Sequence, residues 1–238
     1  MTGIVGSGQY TYRVVDGWAK LPDGWDWGII PAVACDSRDR VFVGSRGSHP
    51  LLVFDRHGNL LESWGEDFLG GAHGLYVDSE DNVYCTVHDA HCVYRFNLDG
   101  ELTMTLGTPG QPGENGDCLI KPTDTAVASN GDIFVSDGYG NARVHRFSSD
   151  GEHLLSWGQE GTDPGQFNTP HCVRLDRDDR VWVCDRNNRR IQIFDVDGNF
   201  LDQWEARRRP DGVFIDEDEG VVYVSEIEKQ VSIYTIEG

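Results

Sequence analysis

The chain has 238 residues, with 20 Lys and Arg against 40 Asp and Glu, a formal net charge of −20 at neutral pH. That balance opposes nucleic acid and anionic membrane as partners, because their phosphates call for Lys and Arg; no stretch reaches the roughly 18 apolar residues of a membrane-spanning helix. No charged segment followed by an apolar run opens the chain, so a cytoplasmic protein is expected, with residues 1–9 as a flexible lead-in to a single domain over 10–238.

The first patterned segment, residues 10–18 (YTYRVVDGW), alternates like a strand and ends in Trp. Five copies of one unit follow, over 30–65, 72–107, 120–158, 167–204 and 209–238. Each carries an apolar pair in its second strand: Val41-Phe42, Val83-Tyr84, Ile133-Phe134, Val181-Trp182 and Val222-Tyr223, spaced by 42, 50, 48 and 41 residues. A period of that length with strand-like alternation predicts an all-β chain folded as a β-propeller of four-stranded blades, five of them visible. Turns rich in Asp, Asn, Ser and Gly (SRDR, SEDN, SNGD, RDDR) join first strands to second, and HGN, LDG, SDG and VDG join third to fourth. Fourth strands read LLESWG, LTMTLG, HLLSWG and FLDQW. The fifth copy has none, and residues 10–18 carry the same pattern, so the N-terminal strand is expected to complete the last blade and close the ring. Residues 107–122 form a Gly/Pro-rich insertion read as a long loop. The six cysteines, Cys35, Cys85, Cys92, Cys118, Cys172 and Cys184, make no CxxC pair, and reduced thiols are expected.

Aligning the copies exposes chemistry. At the start of the innermost strand they read Pro31, His73, Thr123, His171 and Asp211. Inner strands converge on the axis, so two imidazoles can face one metal ion. Zinc in a catalytic site takes three protein ligands and leaves one position open, and Asp211 is a candidate third. On the loops after the second strands, Arg46 in SRGSH can fork onto a substrate carboxylate, and Tyr139 in SDGYGN can exchange a proton. His49, His88, His91 and Arg186 share those loops and can line the pocket. No nucleophile elbow, phosphate loop or dinucleotide fingerprint occurs.

The inner strand HGLYVD and the run FNTPHCVRLD…VWVCDRNNRRIQIFD resemble NHL repeats. More closely, VFVGSRGSHPLLVFD, AHGL, KPTDTAVASNGDIFVSDGYGNARVHRF and the FNTPH segment resemble peptidylglycine alpha-hydroxyglycine amidating lyase and its bacterial relatives, over nearly all the chain from Tyr10. The resemblance implies a lyase that cleaves the N–C(OH) bond of a carbinolamide to an amide and an aldehyde. It places His73 and His171 on two of three zinc histidines, Arg46 on the catalytic arginine and Tyr139 on the catalytic tyrosine. The Leu75 backbone carbonyl falls on a ligand of a structural calcium ion. It also implies six blades with zinc histidines on alternate ones, where five blades are read here. A small-molecule substrate is expected; the oligomeric state is not legible. A non-catalytic NHL propeller that binds a protein or small ligand, and a calcium-dependent lactonase-type hydrolase using Asp211 and Asp124, are the alternative functions.

Overall fold

The structure is a computed structural model that describes residues 3–66, 71–114 and 118–236. Part of the 107–122 insertion, residues 115–117, and the last two residues of the fifth copy therefore lie outside the described residues. After a two-stranded hairpin, β1 (Ile4–Ser7) and β2 (Tyr10–Arg13), the chain builds five blades in order. Blade one is β3 (Ala32–Cys35), β4 (Val41–Gly44), β5 (Leu51–Phe54) and β6 (Leu60–Trp64). Blade two is β7 (Gly74–Val77), β8 (Val83–Val87), β9 (Cys92–Phe96) and β10 (Leu102–Leu106). Blade three is β11 (Asp124–Val127), β12 (Ile133–Asp137), β13 (Arg143–Phe147) and β14 (His153–Trp157). Blade four is β15 (Pro170–Leu175), β16 (Val181–Asp185), β17 (Arg190–Phe194) and β18 (Phe200–Glu205). Blade five has three strands, β19 (Pro210–Asp216), β20 (Val221–Glu226) and β21 (Gln230–Thr235). Each blade is an antiparallel meander, as the propeller reading requires.

The turns form where the sequence places them, and by one device. Asp36, Asp78 and Asp176 end first strands. Each carboxylate accepts the backbone N–H groups two and four residues on, at 2.8–3.1 Å. Asp55, Asn97 and Asp195 do the same at the ends of third strands. These side chains imitate a turn's own hydrogen bond and fix the hairpin.

Alternate residues of each strand pack into the gap between neighbouring blades. Phe42, Leu51 and Val53 of blade one meet Leu75, Cys85 and Phe96 of blade two. Tyr84, Val93 and Leu106 meet Ile133, Val135 and Phe147; Phe134 and Val144 meet Val173, Val183 and Phe194; and Trp182, Cys184 and Ile193 meet Val213, Val222 and Val224. Cys85, Cys92, Cys172 and Cys184 are buried, and all six thiols are free.

The N-terminal strand departs from expectation. β2 pairs only with β1, part of the segment read as a lead-in, and blade five keeps three strands. Its link to blade five is a hydrogen bond between the Tyr12 and Tyr223 hydroxyls, 3.1 Å long. The physical reason lies in Trp18. Its ring centre is 5.9 Å from that of Phe54, as Trp64 stands 6.1 Å from Phe96 and Trp157 5.7 Å from Phe194. The Trp18 backbone carbonyl crowds Gly58, just as the Trp64 and Trp157 rings crowd Gly100 and Gly198. Trp18 thus serves blade one as the terminal Trp of a preceding fourth strand. The hairpin stands beside blade five across a pocket bordered by Val5, Tyr10, Tyr12, Tyr223 and Val231 without joining its sheet, and the short Ser7–Tyr10 connection lets β2 pair locally instead. With Trp25, Trp27, Leu21 and Val41, Trp18 covers the outer part of blade one around Val43, Leu52 and Phe54. The inner strands pack in succession from β3 through β7, β11 and β15 to β19. Among the described residues, no contact of like extent returns from β19 to β3, so the ring stays open there.

Candidate functional site

The five inner-strand starts meet at the axis. His73 and His171 are 6% and 8% exposed, and their ring centres stand 5.0 Å apart. Each Nδ1 faces the carbonyl of the equivalent residue one blade on: Thr123 for His73 and Asp211 for His171, both at 2.8 Å. A carbonyl only accepts, so each Nδ1 carries the hydrogen and each Nε2 presents a lone pair. Burial pushes the His73 imidazole down to about 3, with the neighbouring His171 second among the causes. His171 is also lowered, chiefly by burial, against the opposing pull of Asp211. Both rings are therefore neutral near pH 7.

The two Nε2 atoms converge on the Tyr139 hydroxyl, 3.1 Å from His73 and 2.9 Å from His171. Gly138 allows this approach: a Cβ there would lie 2.0 Å from the Pro170 carbonyl oxygen. The buried Asp137 carboxylate steadies the loop by accepting from the Ile120 N–H at 2.8 Å and the Asn141 amide at 2.9 Å. Arg186 Nη1 lies 3.3 Å from both the phenol oxygen and Asp211 Oδ1, with its guanidinium 5.2 Å from the Tyr139 ring centre. Arg46 is exposed on its loop and lies close enough for its charge to act on His73 and His88. Below the histidines lies a cavity of about 360 Å³, bordered by His73, Leu75, Thr123, Asp124, His171 and Asp211.

The structure thus brings His73, His171 and Tyr139 into direct contact and sets Arg46 near them. Asp211 arrives on the far side of His171: its carboxylate is 3.2 Å from Nδ1, so it orients that ring and does not share the Nε2 face. The Leu75 side chain is buried between blades one and two. Among the described residues, no trio of His, Cys, Asp or Glu is arranged to hold a metal ion as it stands. His49 stacks on Trp25 with ring centres 3.3 Å apart, and His91 Nδ1 accepts the Lys121 N–H at 3.1 Å; both serve their loops.

A second aligned position carries more of the site than sequence reasoning assigned to it. Five residues past the start of each apolar pair stand Arg46, His88, Gly138, Arg186 and Ile227. His88 and Arg186 each open a short 3₁₀ turn, His88–Ala90 and Arg186–Asn188. The His88 ring centre lies 5.1 Å from His73 and 5.8 Å from Tyr139. The sequence reading names both among residues that can line the pocket; extending the alignment from the inner strands to this position is the signal that singles them out from His49 and His91.

The NHL repeat model matches residues 119–147 and 167–194. Human NHL repeat-containing protein 3 is 36% identical over 229 residues, covering 86% of this chain and 65% of that protein. Peptidyl-alpha-hydroxyglycine alpha-amidating lyase 1 of Drosophila melanogaster is 38% identical over 182 residues, covering 71% of this chain and 34% of its own. Peptidylglycine alpha-amidating monooxygenase of Rattus norvegicus is 33% identical over 204 residues, covering 71% and 21%. The chain therefore spans about two thirds or less of the length of these relatives. Among solved structures, a propeller in a nidogen/laminin complex superposes with a TM-score of 0.74 at 14% identity, covering 95% of this chain and 80% of that one. A streptogramin B lyase does so with 0.65 at 16%, covering 88% and 69%. At such identities these likenesses concern the fold alone. With the repeats matched and relatives above 30% identity, the chain is an NHL-repeat β-propeller related to the peptidyl-alpha-hydroxyglycine alpha-amidating lyases.

Proposed function

We propose that this protein is a zinc-dependent lyase that cleaves the N–C(OH) bond of a small carbinolamide carrying a carboxylate. One observation carries the reading: two neutral, buried imidazoles aim their Nε2 lone pairs at one phenol, which has a single proton to give. One lone pair is left without a donor, and a cation fits that deficit. Each Nδ1–H is held by a backbone carbonyl, the arrangement that fixes the tautomer of a metal-ligating histidine. His73 and His171 would hold the ion, which when bound supplies polarisation of the substrate hydroxyl.

The rest is the work of the chain. Once its own proton has been given up, the ionised Tyr139 oxygen is placed to take the hydroxyl proton as the C=O bond forms and to return it to the departing nitrogen, so the proton balance closes. The negative charge of that ionised oxygen, before it takes the proton and after it returns it, is met by Arg186 at 3.3 Å. Arg46 offers a fork to the substrate carboxylate from the mouth. In a chain of net charge −20, two arginines at one opening give an anionic substrate a local target.

The calcium ion implied at Leu75 does not fit the described residues: Asp124, a carboxylate that borders the same cavity as Leu75, is held by Arg174. The lactonase-type alternative meets the same obstacle, since the two carboxylates bordering the cavity, Asp124 and Asp211, are both paired with arginine.

The test is release of glyoxylate from an N-acyl-α-hydroxyglycine, run with metal analysis of the purified protein. Zinc bound at one equivalent, and turnover that falls about 100-fold or more in Tyr139→Phe and Arg46→Ala, is the expected outcome. A protein that takes up no zinc and releases no glyoxylate would overturn the reading in favour of a binding propeller, for which the match to NHL repeat-containing protein 3 speaks.

A further inference from the structure

We infer that a corner between blades four and five binds the phosphate monoester group of a small molecule, held by Arg189, Arg207 and Arg208. The inference goes beyond the lyase reading and needs neither a metal ion nor turnover. The three arginines border a depression of about 440 Å³ together with Glu228 and Gln230, and none of the five borders the axial cavity. Arg189 ends the turn between β16 and β17, Arg207 and Arg208 lie in the link from β18 to β19, and Glu228 and Gln230 lead into β21. Backbone hydrogen bonds fasten these segments to one another. The Ala206 N–H donates to the Arg189 carbonyl at 2.8 Å, and the Ile227 N–H to the Arg209 carbonyl at 3.2 Å. The frame is therefore in place before any ligand arrives.

The corner holds positive charge without a counter-charge of its own. Arg189, Arg207 and Arg208 are exposed, and none of them pairs with a carboxylate among the described residues. The carboxylate at hand, Glu228, is already held by Arg209 at 3.0 Å. Acidic groups outnumber basic ones 40 to 20 in this chain, so three guanidinium groups gathered without a partner make a local positive field in a negative one. The number of arginines selects the ligand. A phosphate monoester carries about −1.5 to −2 at neutral pH and three terminal oxygens, one for each planar guanidinium fork. A single carboxylate has two oxygens and one charge, and leaves at least one arginine without a partner. The ligand is also short, because a long polyanion leaving this corner would run onto a surface rich in Asp and Glu.

Calorimetric titration of the whole chain at low salt with inorganic phosphate, glycerol 3-phosphate and acetate tests this. Both phosphates should bind at one equivalent, and acetate about tenfold or more weakly. Arg189→Gln, Arg207→Gln and Arg208→Gln should each weaken the phosphates about tenfold, the loss of one charge-assisted contact. Arg38→Gln should change nothing, since Arg38 is an exposed arginine on a first-to-second strand turn at the other end of the propeller. Exposed substitutions of this kind leave the fold intact, and circular dichroism checks that they do. No saturable binding of either phosphate overturns the inference, as does an equal loss in Arg38→Gln, which would mean diffuse attraction. Binding abolished by Arg46→Gln but untouched by the corner variants would put the phosphate at the axial mouth and overturn it too. Binding of a single-stranded oligonucleotide without binding of either phosphate would replace it with a nucleic-acid site.

Discussion

Nδ1 of His73 and Nδ1 of His171 each reach across a blade boundary to the carbonyl of the equivalent residue, so the rings are positioned by the repeat itself and not by a dedicated loop. Their burial has a measurable cost at low pH. Unfolded, His73 takes up a proton near pH 6.5; folded, it does so only near pH 3. Between those values the unfolded chain binds more protons, so stability rises with pH across that window. The contribution is complete above about pH 6.5 and is lost as pH falls toward 3. Denaturation of the metal-free protein should therefore steepen in acid, and His73→Gln should flatten the curve between pH 4 and 6. Equal slopes for the two proteins would show that His73 is not buried neutral. The pairing of His73 and His171 was legible because the blades repeat, and two histidines at one aligned position stand out. The Asp211 orientation was not legible, since the sequence places it at the right height without saying which side of the His171 ring it faces. His88 and Arg186 were legible only as two of four residues that can line the pocket, because their role depends on how far a long side chain reaches over the mouth.

Each third-to-fourth strand turn ends on a glycine that lies against the preceding blade's last aromatic or aliphatic residue. Gly100 has φ of +77° and an added Cβ would stand 2.7 Å from the Trp64 ring; Gly198 has φ of +79° and would stand 2.8 Å from Trp157. Gly220, on a first-to-second strand turn, has φ of +66° but faces open space. Alanine at any of them meets the left-handed backbone cost of about 1–2 kcal/mol. At Gly100 and Gly198 it also forces a ring out of an inter-blade core, an overpacking cost of about 1–3 kcal/mol. Urea melts should show Gly100→Ala and Gly198→Ala less stable than Gly220→Ala by that second amount; parity would mean the Trp rings yield freely. At this scale the sequence was informative: Asp and Gly at fixed offsets located the hairpins, because their chemistry is local. The N-terminal strand was misplaced because its pattern, ending in Trp18, is that of a fourth strand, and pattern does not say which blade a fourth strand serves. Trp18 answers by packing on Phe54.

The four closed gaps between blades bury their apolar faces, and the sector between blade five and blade one does not. Phe214, Val231 and Val33 are each 61% exposed on its walls, while Phe194, between blades three and four, is 0% exposed. Burial sets what an aromatic contributes: a fully buried Phe truncated to Ala loses its transfer free energy and leaves a cavity, about 3–5 kcal/mol in all. An exposed one has little to lose, within about 0.5 kcal/mol for surface positions. Phe194→Ala should therefore cost most of the lower figure or more in a chemical melt, and Phe214→Ala close to nothing. A large loss for Phe214→Ala would mean that in solution its ring is covered and the ring of blades closed. A third variant, Phe214→Asp, reads the open wall directly with a hydrophobic dye. An exposed apolar face of this kind binds such a probe in the folded state, so Phe214→Asp should reduce dye binding without shifting the melt.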